Sequence, residues 1–188
     1  MKEDGHYYEM ATEYEEIVSK GFETPKTESY SVNLGEGIRH YRQPVENKKE
    51  IRSMVFGGFR RCLYPMQKFD SDSERRFAVI CESDPEVEKW FKPTPGQLKI
   101  YYNNSNVYHP DFVVETKTTK YICEVKKEKE LQDKVVQQKA GAVIQWCQYA
   151  TKHELQNGGK PWKYVLIPHT DVDENMTILG LASRYILN

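Results

Sequence analysis

Two acidic side chains and one amine stand at spacings suited to phosphodiester hydrolysis: Asp111 behind Pro110, then Glu124 and Lys126 with Val125 between them. Carboxylate oxygens are hard ligands that hold one or two Mg²⁺ ions while leaving several waters in place. Such an ion lowers the pKa of a bound water, orients it and stabilises charge growing at the phosphate. An ammonium beside the carboxylates positions the attacking water or offsets phosphate charge. Strand side chains alternate faces, so Ile122, Glu124 and Lys126 project to one side and Cys123 and Val125 to the other. Twelve residues separate Asp111 from Glu124, which is room for the rest of one strand, a tight turn and the return.

The surrounding pattern supplies elements to position them. Ser71-Asp72-Ser73-Glu74 is an S-x-x-E capping box, so a helix is expected from there through Phe77, Ile80 and Cys81. Asp84-Pro85 ends it, and a second short helix is expected over Glu86 to Phe91 with proline in its first turn. Gln97 to Tyr102 and Val107 to Val114 read as strands around the turn cluster 103–106. Lys117-Thr118-Thr119 turns the chain into a third strand, Lys120 to Lys126. A long helix is expected over Glu130 to His153, with Leu131, Val135, Ala142, Trp146 and Tyr149 on its apolar stripe. Asn157-Gly158-Gly159 stops it, and Trp162 to Pro168 forms a last apolar strand. The expected order is helix, three-stranded meander, helix, strand. Before it, residues 1–50 read as an auxiliary or linking segment with a short helix around Tyr7 to Lys20, and 51–188 as the principal domain.

Composition narrows the class. A chain of 188 residues with 38% hydrophobic and 29% charged residues suits one domain and a wetted surface. No apolar run approaches the roughly 18 residues of a membrane span, and the polar, acidic start lacks a secretory apolar stretch, so a cytoplasmic chain is expected. Cys62, Cys81, Cys123 and Cys147 form no close pair and lie in apolar stretches, as buried reduced thiols rather than zinc ligands or a disulfide framework. A net charge of −1 is low for a dedicated nucleic-acid binder and fits a domain that receives its substrate from a larger assembly.

With these residues in view, the chain resembles the PD-(D/E)xK nuclease superfamily: Pro110-Asp111, then Glu124-x-Lys126, each on a strand, between a preceding helix and a following helix and strand. The resemblance spans roughly Phe69 to Pro168. It implies an α/β (α+β) restriction-endonuclease-like fold with an αβββαβ core, a central mixed sheet flanked by helices. It also implies a DNA endonuclease using Mg²⁺ or Mn²⁺, held by Asp111, Glu124 and the Val125 backbone carbonyl, with Lys126 assisting the water. Many members add a glutamate from the first core helix, and Glu74 is the candidate here. The same carboxylate also suits the capping box with Ser71, and both readings stand.

Flanking residues are weaker candidates. Gln138 and Lys139, with Gln137, fall where related nucleases place a side chain on phosphate or water; a solvated helix face explains them equally well. Lys127, Lys129, Lys134, Arg60-Arg61 and Arg75-Arg76 read as surface charge, His109 as packed or exposed, and Trp146 and Trp162 as core.

The runs Lys68 to Phe77 and Glu82 to Trp90 resemble, more narrowly, the C-terminal endonuclease region of type III restriction enzyme Res subunits. That resemblance implies a helicase/ATPase portion and a modification subunit as partners, and no Walker A motif occurs here. The alternatives are a free-standing repair, recombination or transposon-end nuclease, and a catalytically silent DNA-binding or docking module. Cutting both strands needs two visits or a second copy of the site, so a homodimer is compatible.

Overall fold

A computed structural model describes residues 37–103 and 106–187. The helix expected over Tyr7 to Lys20 lies outside the described residues. In chain order the elements are β1 (Arg39–His40), β2 (Phe56–Gly57), β3 (Met66–Gln67), α1 (Asp72–Ser83), β4 (Val87–Phe91), β5 (Ile100–Tyr102), β6 (Asn106–Tyr108), β7 (Phe112–Thr116), β8 (Lys120–Lys126), α2 (Lys134–Gln156), β9 (Trp162–Pro168), α3 (Ile178–Tyr185) and β10 (Ile186–Leu187).

Five strands make the central sheet in the order β10-β9-β8-β7-β4. β4, β7 and β8 run as an antiparallel meander, β9 joins β8 in parallel, and β10 closes the far edge antiparallel. Helices cover both faces. Phe77 and Ile80 of α1 pack with Phe112, Val114, Cys123 and Val125. On the other face Ala140, Val143 and Trp146 of α2 pack with Val113, Ile122 and Leu166. The β7 and β8 residues thus divide between faces by alternation, as the period of two requires. This is the expected mixed sheet flanked by helices, and α1, β4, β7, β8, α2 and β9 follow the αβββαβ order.

The meander differs from expectation in its first member. The segment expected as a short helix over Glu86 to Phe91 is strand β4, and it, not 97–102, pairs with β7. Asp84 accepts the Glu86 N–H at 2.9 Å and turns the chain, and Val87, Trp90 and Phe91 are buried. Six residues are too few for a stable helix on their own, whereas valine, tryptophan and phenylalanine suit a half-buried strand with a free neighbour. The 97–102 region contributes β5, which among the described residues pairs with β6 in a separate two-stranded ribbon. The single strand expected over Val107 to Val114 is broken between β6 and β7 at His109-Pro110-Asp111, because proline has no N–H for a ladder and a fixed φ.

α2 also starts later than expected, at Lys134, where the Asp133 carboxylate accepts the Val135 N–H at 2.8 Å. Its buried stripe is Ala140, Val143, Trp146, Cys147 and Ala150. Val135 and Tyr149, expected on that stripe, are 47% and 48% exposed. Residues 169–187 had no expected element; α3 and β10 cover the end of the core there, and the Ile178 N–H donates to Asp84 at 2.7 Å. Tyr41 and Val45 enter the same core as α1. Arg75, expected at the surface, is 4% exposed and donates to the Tyr41 carbonyl at 2.9 Å while pairing with Asp72 and Glu174. Among the described residues no helix is long and apolar enough to cross a membrane.

Candidate active site

The β7–β8 ladder ends at the pair Phe112↔Cys123. One step beyond the last ladder pair, the chain bend at Asp111 brings its carboxyl alongside Glu124. Proline supplies the reason the ladder stops there. The Val125 N–H is left for the Asp111 carboxylate, which accepts it at 3.1 Å. Asp111 is thereby fixed against the backbone between Glu124 and Lys126.

Glu124 is 3% exposed, and both of its oxygens are engaged. Lys126 Nζ lies 2.5 Å from Oε1, and the Tyr108 hydroxyl donates to Oε2. Tyr108 arrives from the β5–β6 ribbon, and Tyr164 of β9 is hydrogen-bonded to it. Burial, then the charge of Glu124, raises both phenols well above the ordinary tyrosine range, so both are neutral. Lys139 of α2 stands over the rings of Tyr102 and Tyr108 at 5.7 and 5.8 Å, one side chain away from Glu124. Gln138 accepts from Asn103 at 2.9 Å, and Gln137 donates to the Leu131 carbonyl at 2.6 Å.

Glu74 is placed on the other side of the sheet end, in the first turn of α1. Its own N–H donates to Ser71 Oγ at 3.2 Å, as the capping box requires. Its Oε2 accepts the Asp70 N–H at 3.1 Å and meets Lys92 Nζ at 2.6 Å. Lys92, the residue after β4, also pairs with Asp70 at 3.0 Å and stands 5.9 Å from the Phe112 ring centre. Asp111 therefore lies between two acid–lysine pairs, Glu124–Lys126 toward α2 and Glu74–Lys92 toward α1.

The electrostatics follow from that crowding. Burial and the adjacent Glu124 push the Asp111 carboxyl up to about 7, against the pull of Lys126, Lys92 and the Val125 N–H. Burial also raises Glu74; Lys92 opposes this and Asp111 adds to it. Burial acts to lower Lys126, but Glu124, Asp111 and Glu74 overcome it and keep the ammonium charged. The charged state of Lys92 is held up in the same way by Glu74 and Asp111. Two adjacent carboxylates with one pushed toward protonation form a donor set that a hard divalent cation would relieve, so the residues fit Mg²⁺ or Mn²⁺. Among the described residues no three His, Cys, Asp and Glu side chains gather closely enough to hold a metal ion by side chains alone.

Lys92, Tyr108 and Tyr164 escaped the sequence reading. Lys92 could have been found only by reading 87–91 as a strand of the meander. Tyr108 stands three residues before Asp111, and nothing in its spacing announces a contact with Glu124.

A family model described as the N-terminal part of TnsA-like endonucleases matches residues 84–151, which include Asp111, Glu124 and Lys126 and leave out α1 with Glu74. No curated protein matches the chain. The family match and the restriction-endonuclease-like fold together support a nuclease domain of the PD-(D/E)xK superfamily acting on DNA, of a kind that usually employs a divalent metal.

Proposed function

We propose that the chain is a Mg²⁺- or Mn²⁺-dependent DNA endonuclease, with Asp111, Glu124 and the Val125 carbonyl holding the ion and Lys126 serving the attacking water. The observation that carries this reading is the placement of Asp111 alongside Glu124 at the end of the β7–β8 pair, with Lys126 on the same carboxylate. When bound, the cation supplies a water of lowered pKa and a counter-charge for the phosphate. The protein's own part is positional. The Val125 N–H aims Asp111, Tyr108 ties down one oxygen of Glu124, and Lys126 places a cation on the other for the scissile phosphate to meet. Lys139, held over two tyrosine rings, extends this cationic rim and suits a neighbouring phosphate, with Gln138 beside it. Residues 51–188 form the nuclease unit, and the described end of the 1–50 segment is fastened to it through Tyr41 and Val45.

Two settings are supported by different observations. The runs Lys68 to Phe77 and Glu82 to Trp90 support the nuclease part of a type III restriction enzyme, working with a helicase/ATPase portion and a modification subunit. The match to TnsA-like endonucleases favours a nuclease of repair, recombination or transposon ends. Helicase motifs encoded immediately upstream would decide for the first.

The test of the chemistry is cleavage of supercoiled plasmid with Mg²⁺ or Mn²⁺, comparing the parent with Asp111→Ala and Lys126→Ala. Each variant is expected to lose about 100-fold or more in rate, the scale of removing one preorganised electrostatic group, while its far-ultraviolet circular dichroism is unchanged. Parental rates in either variant refute the site.

A further inference from the structure

Lys92 is a second half-buried cation at the end of the sheet, and the cleavage chemistry described above does not use it. Its side chain is 17% exposed and that of Glu74 9%, and their 2.6 Å contact is supported on one side by Asp70 and on the other by the Phe112 ring. Glu74 Oε2 carries two donors at once, the Lys92 ammonium and the Asp70 N–H. The backbone donor lies just before the Ser71 cap of α1, so it holds the carboxylate toward the helix entry.

The register shows why Lys92 is there. β4 and β7 pair Phe91 with Val113, so Lys92 falls opposite Phe112, whose ring lies on the α1 face. Glu124 points with Ile122 to the α2 face. Glu74 and Glu124 are therefore served by different lysines on different faces, and Asp111 stands between them.

We infer that Lys92 is a resident cation that retains Glu74, so that the site takes one divalent ion per chain, on Asp111 and Glu124, while the Lys92 ammonium fills the position a second ion would need. The inference rests on the metal-dependent reading above and assigns Lys92 a positioning role. It withdraws Glu74 from the metal ligands and keeps it as the anchor of Lys92 and of the α1 entry.

Mn²⁺ binding to the full chain, followed by calorimetry and by electron paramagnetic resonance of the free ion, tests it. The parent is expected to bind one Mn²⁺, and Glu74→Gln to bind it within about threefold of the parental affinity. Lys92→Met is expected to bind a second Mn²⁺, and the double variant Lys92→Met, Glu74→Gln to return to one. Two ions in the parent, or a loss of more than tenfold in Glu74→Gln, overturns the inference and leaves the metal-dependent reading standing. A Lys92→Met chain that still binds only one ion overturns it as well. No binding in the parent removes both, and the Glu74→Gln comparison decides the matter even if Lys92→Met does not fold.

Discussion

The Tyr108 hydroxyl donates to Glu124 Oε2, although Tyr108 belongs to the small β5–β6 ribbon and Glu124 to the central sheet. The ribbon thus sets the direction of a carboxylate on a strand it does not pair with. In buried surroundings a neutral phenol can do this without adding charge, leaving the other oxygen to Lys126.

Replacing that phenol by a ring of the same shape isolates the bond. Tyr108→Phe leaves a buried carboxylate oxygen without its donor and is expected to lower stability by about 1–3 kcal/mol. Loss of a group that orients a ligand typically weakens metal binding about 10–100-fold, so Mn²⁺ affinity should fall by that order. Urea unfolding and Mn²⁺ titration measure the two effects, and parental values in both would remove Tyr108 from the site.

Asp111 makes the metal-free protein sensitive to pH in an unusual direction. Its carboxyl titrates near 7 in the folded chain, against about 3.9 for an ordinary aspartate. Between those values the folded state holds a proton that the unfolded state has released, so stability falls as pH rises from about 4 to 7 and the full penalty is present above 7. In EDTA, Asp111→Asn is expected to flatten that slope and to be more stable than the parent at pH 8. Parallel stability profiles for the two proteins would contradict the assignment.

Glu82 holds the approach to the sheet together. Buried in α1, it accepts the backbone N–H groups of Arg60, Arg61 and Cys62 at 2.8, 3.0 and 3.1 Å and the Trp90 indole N–H at 2.8 Å. Glu82→Ala strands several buried donors at once and is expected to destabilise the fold by more than about 3 kcal/mol. Glu82→Gln, which keeps one acceptor, should lose distinctly less. Equal denaturation midpoints for the parent and Glu82→Ala would show that water replaces the carboxylate.

The four thiols are free, and Cys81, Cys123 and Cys147 are buried. Burial pushes Cys62 and Cys147 up to about 12 and also raises Cys81 and Cys123 well above the ordinary thiol range. Thiolate is the reactive form, so the native protein at pH 8 should resist alkylation and react fully only in guanidinium. A thiol modified within seconds in the native state would be at odds with this packing.

Strands and helices with strong periodicity were legible from residue order. Lys120–Lys126 and Trp162–Pro168 lie where the apolar runs put them, and α1 starts at the Ser71 cap as the S-x-x-E pattern predicts. The segment 86–91 was misread because proline in a first turn is a local signal, and the vacant edge of β7 is a distant one. The stripe of α2 slipped for a related reason: Val135 and Tyr149 are apolar by type, but which side of a helix is covered depends on what packs there.

By itself, the order of residues determined that Glu124 and Lys126 lie on one strand and share a face, because strand alternation is a property of the backbone alone, and that Asp111 lies at the entry to its neighbour. Only the tertiary structure decided which partners those groups have. It brought Tyr108 to one oxygen of Glu124 and Lys92 to Glu74, contacts made across 16 and 18 positions of chain. Pairing register and face are settled by burial of whole elements against one another, and that sum over the fold is not encoded in any short stretch of sequence.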